Sequence, residues 1–296
     1  MKIAVIGAGK WGQALFFALK QKNNCVISSR TKRDLEDFVN LKDALECEYI
    51  VFSIATQSIK EFLNLNFIDK NQKILVASKG IETSSSKFID EIFCEFTSSE
   101  NLAFLSGPSF ASEVTQKLPC ALVISSHNEN LAKIWAGAFP NFIKTYISSD
   151  VIGSEICGAY KNVIAIASGI CDGLMLGNNA RASLISRGLV EMSRFGEYFG
   201  AKNETFLGLS GAGDLFLTAS SVLSRNYRVG LGLAKGMPIH EILKELGEVA
   251  EGVPTAYAIT RIANEKSIYM PIAAEVCAML NGKNVKESLK DLLKRK

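Results

Sequence analysis

The sequence predicts an α/β protein: an amino-terminal, doubly wound and mostly parallel sheet, followed by an all-α carboxyl-terminal part. Three observations carry this. Short, continuous apolar runs alternate with stretches of helical periodicity as far as Ser148-Ser149-Asp150. The first of those runs passes directly into a glycine-rich turn, Gly7-Ala8-Gly9-Lys10-Trp11-Gly12. Beyond Asp150 the strand-like runs cease, and Ala, Leu, Gly and Ile recur at spacings of three and four. A chain of 296 residues has room for two domains at roughly 100–200 residues each, and the pattern divides this one into 1–149 and 150–296.

Taken in order, strands are expected at 2–6, 25–29, 49–54, 73–77, 102–106, 121–125 and 142–147. Most are largely apolar, as a strand covered on both faces must be. Between them, 11–20, 58–65, 88–96 and 130–139 carry the one-sided apolar stripe of a surface helix. In the second part the helical spacing covers 155–170, 180–199, 229–235, 239–246, 255–264, 273–280 and 285–294, with glycine-rich connectors at Gly208, Gly211 and Gly213. The basic residues that end the chain, through Arg295 and Lys296, suit the negative end of a final helix.

Composition removes several function classes. Apolar residues make up 48% and charged residues 21%, the profile of a folded globular chain rather than a disordered one. Thirty-three Lys and Arg against 30 Asp and Glu leave a net charge of +3, too little for a protein that grips a nucleic-acid backbone. The two histidines, His127 and His240, are far apart in loop-like settings, so no His-based metal site is expected and catalysis should run on another group. Seven cysteines, an odd number with no CxxC, read as reduced thiols packed as small hydrophobes in the cytoplasm. The opening 1–6 imitates a secretory leader, but Lys10 interrupts it. In the most apolar stretch only 162–171 is free of charge, far short of the ~20 residues that cross a bilayer. A soluble chain is expected.

The glycine turn has the GxGxxG spacing of a dinucleotide site. Gly7 permits the tight turn, Gly9 lets backbone approach a pyrophosphate, and Gly12 lets the helix pack on the sheet, its free N–H groups facing the anion. Its place after the first strand of an alternating domain is what makes it specific, and it marks a Rossmann-type fold. The second strand ends in Ser28-Ser29-Arg30-Thr31-Lys32-Arg33, with no acid before Asp34. That cluster suits a 2′-phosphate better than a bare ribose diol, so NADP(H) is favoured and NAD(H) left open. A solvated basic turn is the plain alternative.

Four further clusters stand out: Ala77-Ser78-Lys79-Gly80 and Ser106-Gly107-Pro108-Ser109-Phe110-Ala111 at strand ends, Gly158-Ala159-Tyr160-Lys161-Asn162 inside an apolar helix, and Gly211-Ala212-Gly213-Asp214 followed by Ser224-Arg225-Asn226. Lys161, flanked by Val163, Ile164, Ala165 and Ile166, is partly desolvated, which favours a neutral amine fit for acid/base work. The plain readings are a snorkelling lysine and a surface arginine.

With GAGKWG, SKG, SGPSFA, GAYKNVIAIASGICDG, RGLVEMSRFG, GLSGAGDL, SRNYRVG and VAEG in this order, the chain closely resembles bacterial NAD(P)-dependent glycerol-3-phosphate dehydrogenase over nearly its whole length. The resemblance implies reversible interconversion of sn-glycerol 3-phosphate and dihydroxyacetone phosphate at a crevice between domains, supplying phospholipid synthesis. It implies Lys161 as proton donor and acceptor, oriented by Asp214. It gives Lys79, Gly107, Ser109, Lys161, Asp214, Ser224, Arg225 and Asn226 to the substrate, with Arg225 and Asn226 on its phosphate. The cofactor would be touched by Gly7, Gly9, Lys10, Trp11, Gly12, Arg30, Arg33, Lys79, Ala111, Arg225, Val249 and Glu251. Lys10 departs from the family pattern, which often carries a small hydroxyl residue there. The apolar helices of the second part serve either as a homodimer interface or as core.

Two rival readings remain. A 3-hydroxyacid-type dehydrogenase of the same plan usually pairs its helix lysine as KxxN, whereas here Asn162 follows Lys161 directly and the third position on is Ile164. A non-catalytic NADP(H) sensor would need the glycine loop but not Lys161, Asp214 and Arg225 together.

Overall fold

A computed structural model describes residues 1–294; Arg295 and Lys296, to which the expected basic helix end extends, lie outside the described residues. The chain divides into two compact units, Met1–Lys79 with Phe88–Glu155, and Gly80–Lys87 with Ile156 onward.

In the first unit, β1 (Lys2–Ile6), β2 (Asn24–Ser28), β3 (Tyr49–Phe52), β4 (Lys73–Val76), β5 (Leu102–Ser106), β6 (Cys120–Ser125) and β7 (Ile143–Ser148) form one sheet in the order β2-β1-β3-β4-β5-β6-β7. Every neighbouring pair is parallel except β5 and β6, where Phe104 lies opposite Ser125. The helices are α1 (Lys10–Lys20), α2 (Leu41–Leu45), α3 (Ile59–Asn66), α4 (Ile89–Phe93), α5 (Ala111–Thr115) and α6 (Glu129–Ala138). Successive strand side chains point to opposite faces. Ile3, Val5, Val51 and Leu75 therefore pack with Leu15 and Leu19 of α1 and Trp135 of α6. Ala4, Ile6, Phe52 and Val76 enter a second core with Ile59 and Leu63 of α3 and Phe93 of α4. The sheet's interior is thus covered on both faces, which is why its inner strands read as apolar runs, while the edge strand β7 is largely exposed.

All seven expected strands are present, 2–6 and 102–106 with the expected ends and the others with ends shifted by one or two positions. β3 stops at Phe52 rather than 54, because the chain there turns into the glycine loop's neighbour, Ser53, whose N–H donates to the Ile6 carbonyl at 2.8 Å. Two helices of this unit escape the periodicity, as Asn203–Leu207 and Asp214–Ala219 do in the second. α2 and α5 are five residues each, too short for a 3.6-residue period to register.

The second unit is helical, and among the described residues no strand follows β7. It contains α7 (Val151–Gly173, whose opening turn belongs to the first unit), α8 (Gly177–Tyr198), α9 (Asn203–Leu207), α10 (Asp214–Ala219), α11 (Arg225–Ala234), α12 (Ile239–Leu246), α13 (Gly252–Glu265), α14 (Pro271–Leu280) and α15 (Val285–Lys294). The excursion Gly80–Lys87 is held to this unit by Arg261 of α13, whose Nε donates to Ser86 Oγ at 2.8 Å and whose Nη2 donates to the Thr83 carbonyl.

Helix ends differ from the expected ones where polar caps, invisible to apolar spacing, set them. α7 begins at Val151 rather than 155, with the Asp150 carboxylate accepting the Gly153 N–H at 3.0 Å. α11 begins at Arg225 rather than 229, capped by Ser224, whose Oγ accepts the Tyr227 N–H at 3.3 Å. The glycine-rich stretch read as a connector is a π-helical turn, Leu209–Gly213, that runs straight into α10. Its Gly211 is required for packing, since a Cβ there would sit 2.1 Å from the Phe206 carbonyl oxygen.

Candidate active site

In the first unit the glycine loop is built for close approach. Gly7 takes φ +110°, and a Cβ on it would lie 2.3 Å from the Ser53 carbonyl oxygen. A Cβ on Gly12 would lie 1.8 Å from the Gly7 carbonyl oxygen, so α1 can descend this far onto the loop only with glycine there. Gly9 is different. Nothing lies within 4 Å of the Cβ it lacks. Gly9 caps α1 without a side chain, and no acid occupies the helix's first turn, so that turn's N–H groups are available to an anion. Lys10 is exposed beside it, and Trp11 is half-buried against the core.

The end of β2 supplies the basic edge. Ser28 gives its carbonyl to the Gly7 N–H at 2.8 Å, and Arg30, Lys32 and Arg33 follow, all exposed. A cavity of about 430 Å³ is lined by Lys32, Arg33, Asp34, Leu35 and Phe38. The next acids, Glu36 and Asp37, pair with Lys20 Nζ at 2.9 and 2.6 Å. Those two carboxylates raise the Lys20 pKa above its ordinary value, and they are not among the residues lining that cavity.

Lys79 follows β4 and is half-buried, beside Ser78, whose Oγ donates to the Ile54 carbonyl at 2.6 Å. After β5, Gly107 takes φ +105°, and a Cβ there would meet the Ala121 carbonyl oxygen at 2.8 Å. Ser109 Oγ donates to the Gly107 carbonyl at 3.3 Å, and Ala111 opens α5. Gly7, Arg30, Lys79 and Gly107 thus stand just past the carboxyl ends of β1, β2, β4 and β5, the edge at which open α/β sheets take ligands.

In the second unit the central pair is Lys161 and Asp214. Lys161 Nζ lies 2.5 Å from Asp214 Oδ1, with the two residues 8% and 2% exposed. Asp214 opens α10, and Thr218, one turn on, donates its hydroxyl to the same oxygen at 3.3 Å. The carboxylate offsets the water that the buried ammonium has lost.

Beside this pair, α7 and α11 meet at backbone contact. A Cβ on Gly169 would lie 2.0 Å from the Tyr227 carbonyl oxygen, and one on Gly230 would lie 2.1 Å from the Ile166 carbonyl oxygen. That approach lets Asn226 Nδ2 donate to Asn162 Oδ1 at 2.8 Å, while Asn226 Oδ1 accepts the Gly252 N–H at 2.9 Å. Arg225, half-exposed, pairs with Glu248 at 3.5 Å. Val249 is 52% exposed and Glu251 half-buried on the connection that leads into α13. Lys161, Asp214, Ser224, Arg225, Asn226, Val249 and Glu251 all belong to this unit.

Sequence reading missed several participants. Asn162 was visible beside Lys161 but carried no role, and Thr218 had its signal in the four-residue spacing from Asp214. Glu191 gave none. It is 2% exposed, accepts the Tyr160 hydroxyl, and accepts the Ile272 and Ala273 N–H groups at 2.9 Å each, which caps α14. Burial raises its pKa above the ordinary carboxyl value despite those donors.

The remaining polar candidates lie elsewhere. His127 is exposed and the His240 side chain is 79% exposed. Among the described residues no group of three His, Cys, Asp or Glu is placed to hold a metal ion, and no helix is long and apolar enough to cross a membrane. The cysteines are free, and burial pushes the Cys25 thiol up to about 12; Cys94 is exposed, contrary to its expected packing.

Comparison with known proteins points one way. Residues 28–132 and 150–290 match the sequence profiles described as the N-terminus and C-terminus of NAD-dependent glycerol-3-phosphate dehydrogenase. The chain is 66% identical over 295 residues to the NAD(P)+ glycerol-3-phosphate dehydrogenase of Campylobacter jejuni, covering 100% of this chain and 99% of that one. It is 67% identical over 296 residues to the enzyme of the same description from Campylobacter lari, with the same coverage. The crystal structure of glycerol-3-phosphate dehydrogenase from Coxiella burnetii superposes with a TM-score of 0.91 at 32% identity, covering 99% of both chains.

Proposed function

We infer the chemistry from one premise: this chain belongs to the NAD-dependent glycerol-3-phosphate dehydrogenase family. It is an NAD(P)-dependent oxidoreductase, and the reaction we assign is the reversible conversion of dihydroxyacetone phosphate to sn-glycerol 3-phosphate. We propose that residues 1–149 hold the dinucleotide and 150–296 the catalytic groups. The observation that carries the reading is the buried Lys161–Asp214 pair. A protein that only sensed dinucleotide would have no use for an ammonium buried against a carboxylate.

The glycine loop fits the implied cofactor: the open side of Gly9 and the uncapped first turn of α1 suit a pyrophosphate. We assign Gly7, Gly9, Lys10, Trp11, Gly12, Lys79, Ala111, Arg225, Val249 and Glu251 to the dinucleotide, and Arg30 and Arg33 to a 2′-phosphate. NADP(H) is then the preferred form, with NAD(H) also accepted. When bound, the nicotinamide supplies or takes up the hydride.

The chain's own residues do the rest. Lys161 as ammonium polarises the C2 carbonyl and passes a proton to its oxygen; in the reverse direction the neutral amine accepts that proton. Asp214 holds the lysine in place and balances its charge, with Thr218 fixing the carboxylate. Arg225 and Asn226 take the substrate's phosphate at the amino-terminal end of α11, where the helix dipole favours an anion. Lys79, Gly107, Ser109 and Ser224 complete the substrate contacts in this assignment. Its partners are a small phosphorylated substrate and a second copy of the chain, acting in the cytoplasm to supply glycerol 3-phosphate for phospholipid synthesis. The deciding experiment mixes protein, NADPH and dihydroxyacetone phosphate. Loss of reduced-nicotinamide absorbance, with sn-glycerol 3-phosphate as product, is expected; no turnover overturns the assignment.

A further inference from the structure

The arginine that the preceding reading gives to the substrate's phosphate is already engaged. Arg225 Nη1 stands 3.5 Å from Glu248 Oε2, with the two side chains 42% and 31% exposed. Both belong to the second unit. Arg225 is the first residue of α11, and no acid lies in that helix's first turn. A guanidinium at the positive end of a helix dipole is poorly placed for a cation. The position calls for an anion, and Glu248 provides one from outside the helix.

Glu248 is carried on a short connection fixed at both ends. α12 is closed by the following Gly247, which takes the left-handed conformation (φ 62°), and α13 opens with Gly252, whose N–H donates to Asn226 Oδ1 at 2.9 Å. Glu248 is thereby held beside the first turn of α11 without gripping it. Its 3.5 Å separation from Arg225 exceeds the roughly 2.7–2.9 Å of a charge-assisted hydrogen bond. A phosphate dianion, with twice the charge and three acceptor oxygens, is the stronger partner for the same guanidinium.

We propose that Glu248 is a resident carboxylate that competes with the substrate's phosphate for Arg225, so that it weakens the binding of phosphorylated substrate and selects for a doubly charged group. Glu248 acts through Arg225 and does not touch the reacting atoms. The inference rests on the assignment of Arg225 to the phosphate. Exposed ion pairs of this kind are weak, so the effect is graded: releasing Arg225 strengthens phosphate binding about two- to fivefold.

The test uses the full-length enzyme and inorganic phosphate as a competitive inhibitor against dihydroxyacetone phosphate. In Glu248→Gln, the KM for dihydroxyacetone phosphate and the inhibition constant of phosphate both fall about two- to fivefold, while kcat stays near wild type. Glu245→Gln, which removes a charge from an exposed position on α12, leaves both constants where they were. If Glu248→Gln leaves the constants unchanged or raises them, or if Glu245→Gln lowers them equally, the resident-carboxylate role is wrong. Arg225→Ala separates the two levels. If it abolishes phosphate inhibition while Glu248→Gln has no effect, only this inference fails. If it leaves phosphate inhibition intact, the phosphate assignment of Arg225 has failed and this inference falls with it.

Discussion

Lys161 and Asp214 are 53 positions apart in sequence, yet the lysine ammonium lies 2.5 Å from the aspartate oxygen with both groups out of water. Breaking one side of a buried pair strands the other charge, and losing a general acid typically costs ~10²–10⁴-fold in rate. Lys161→Met is therefore expected to lower kcat by at least ~10²-fold while NADPH still binds, as followed by fluorescence titration. Asp214→Asn should lower kcat too, and the double variant should be no slower than Lys161→Met alone, because the two act as a unit. A near-normal kcat for Lys161→Met removes the lysine from the mechanism.

The glycines of the loop separate folding from binding. Gly12→Ala forces a Cβ to 1.8 Å from the Gly7 carbonyl oxygen, so α1 must shift on the sheet and thermal stability should fall along with NADPH affinity. Gly9→Ala has open space around its new methyl and should melt near the wild-type temperature, yet bind NADPH more weakly. Equal melting temperatures for both variants contradict this division.

Arg30 and Arg33 carry the cofactor preference. The double variant Arg30→Ala with Arg33→Ala should raise the KM for NADPH by about tenfold or more, one charge-assisted bond being worth ~1.5–3 kcal/mol, and change that for NADH little. Parallel rises for both cofactors speak against a 2′-phosphate contact.

Glu155 makes stability depend on pH. It is 8% exposed, its Oε1 accepts the Asp90 N–H at 3.0 Å, and its Oε2 has no hydrogen-bond partner. Burial, reinforced by the Asp90 carboxylate, raises its pKa well above the ordinary value. A carboxyl whose folded pKa is raised contributes stability that is fully present below its unfolded pKa, ~4.3, and lost as pH climbs through the folded one. Glu155→Gln, which cannot ionise, should thus gain stability relative to wild type as pH rises above ~4.3, measured by denaturant unfolding across pH. A difference that does not vary with pH refutes the assignment.

The sheet was readable in sequence because its inner strands, covered on both faces, had to be largely apolar; the edge strand β7, with Lys144 and Thr145, is the exception. Ile3, Val5, Ala4 and Ile6 alternate between two cores, so no polar residue interrupts the signal. The glycine loop was readable because its backbone conformation and its close contacts admit no other residue at Gly7 and Gly12. The second unit was less legible. Its helix starts depend on Asp150 and Ser224, polar caps that leave no apolar period, and nothing in the pattern marked Gly169 and Gly230, inside expected helices, as the points where helices touch.

By itself the sequence determined the order of elements, the dinucleotide loop and the residue types that chemistry requires, because backbone conformation and local burial are written in neighbouring residues. Only the tertiary structure decided which of those residues act on one another. Lys161 meets the Asp214 that family resemblance had set beside it, whereas Asn226 acquired Asn162 and Gly252, and Arg225 acquired Glu248. Each pairing joins segments far apart in the chain, and whether a buried or crowded charge is balanced, held or contested depends on distances that no local pattern encodes.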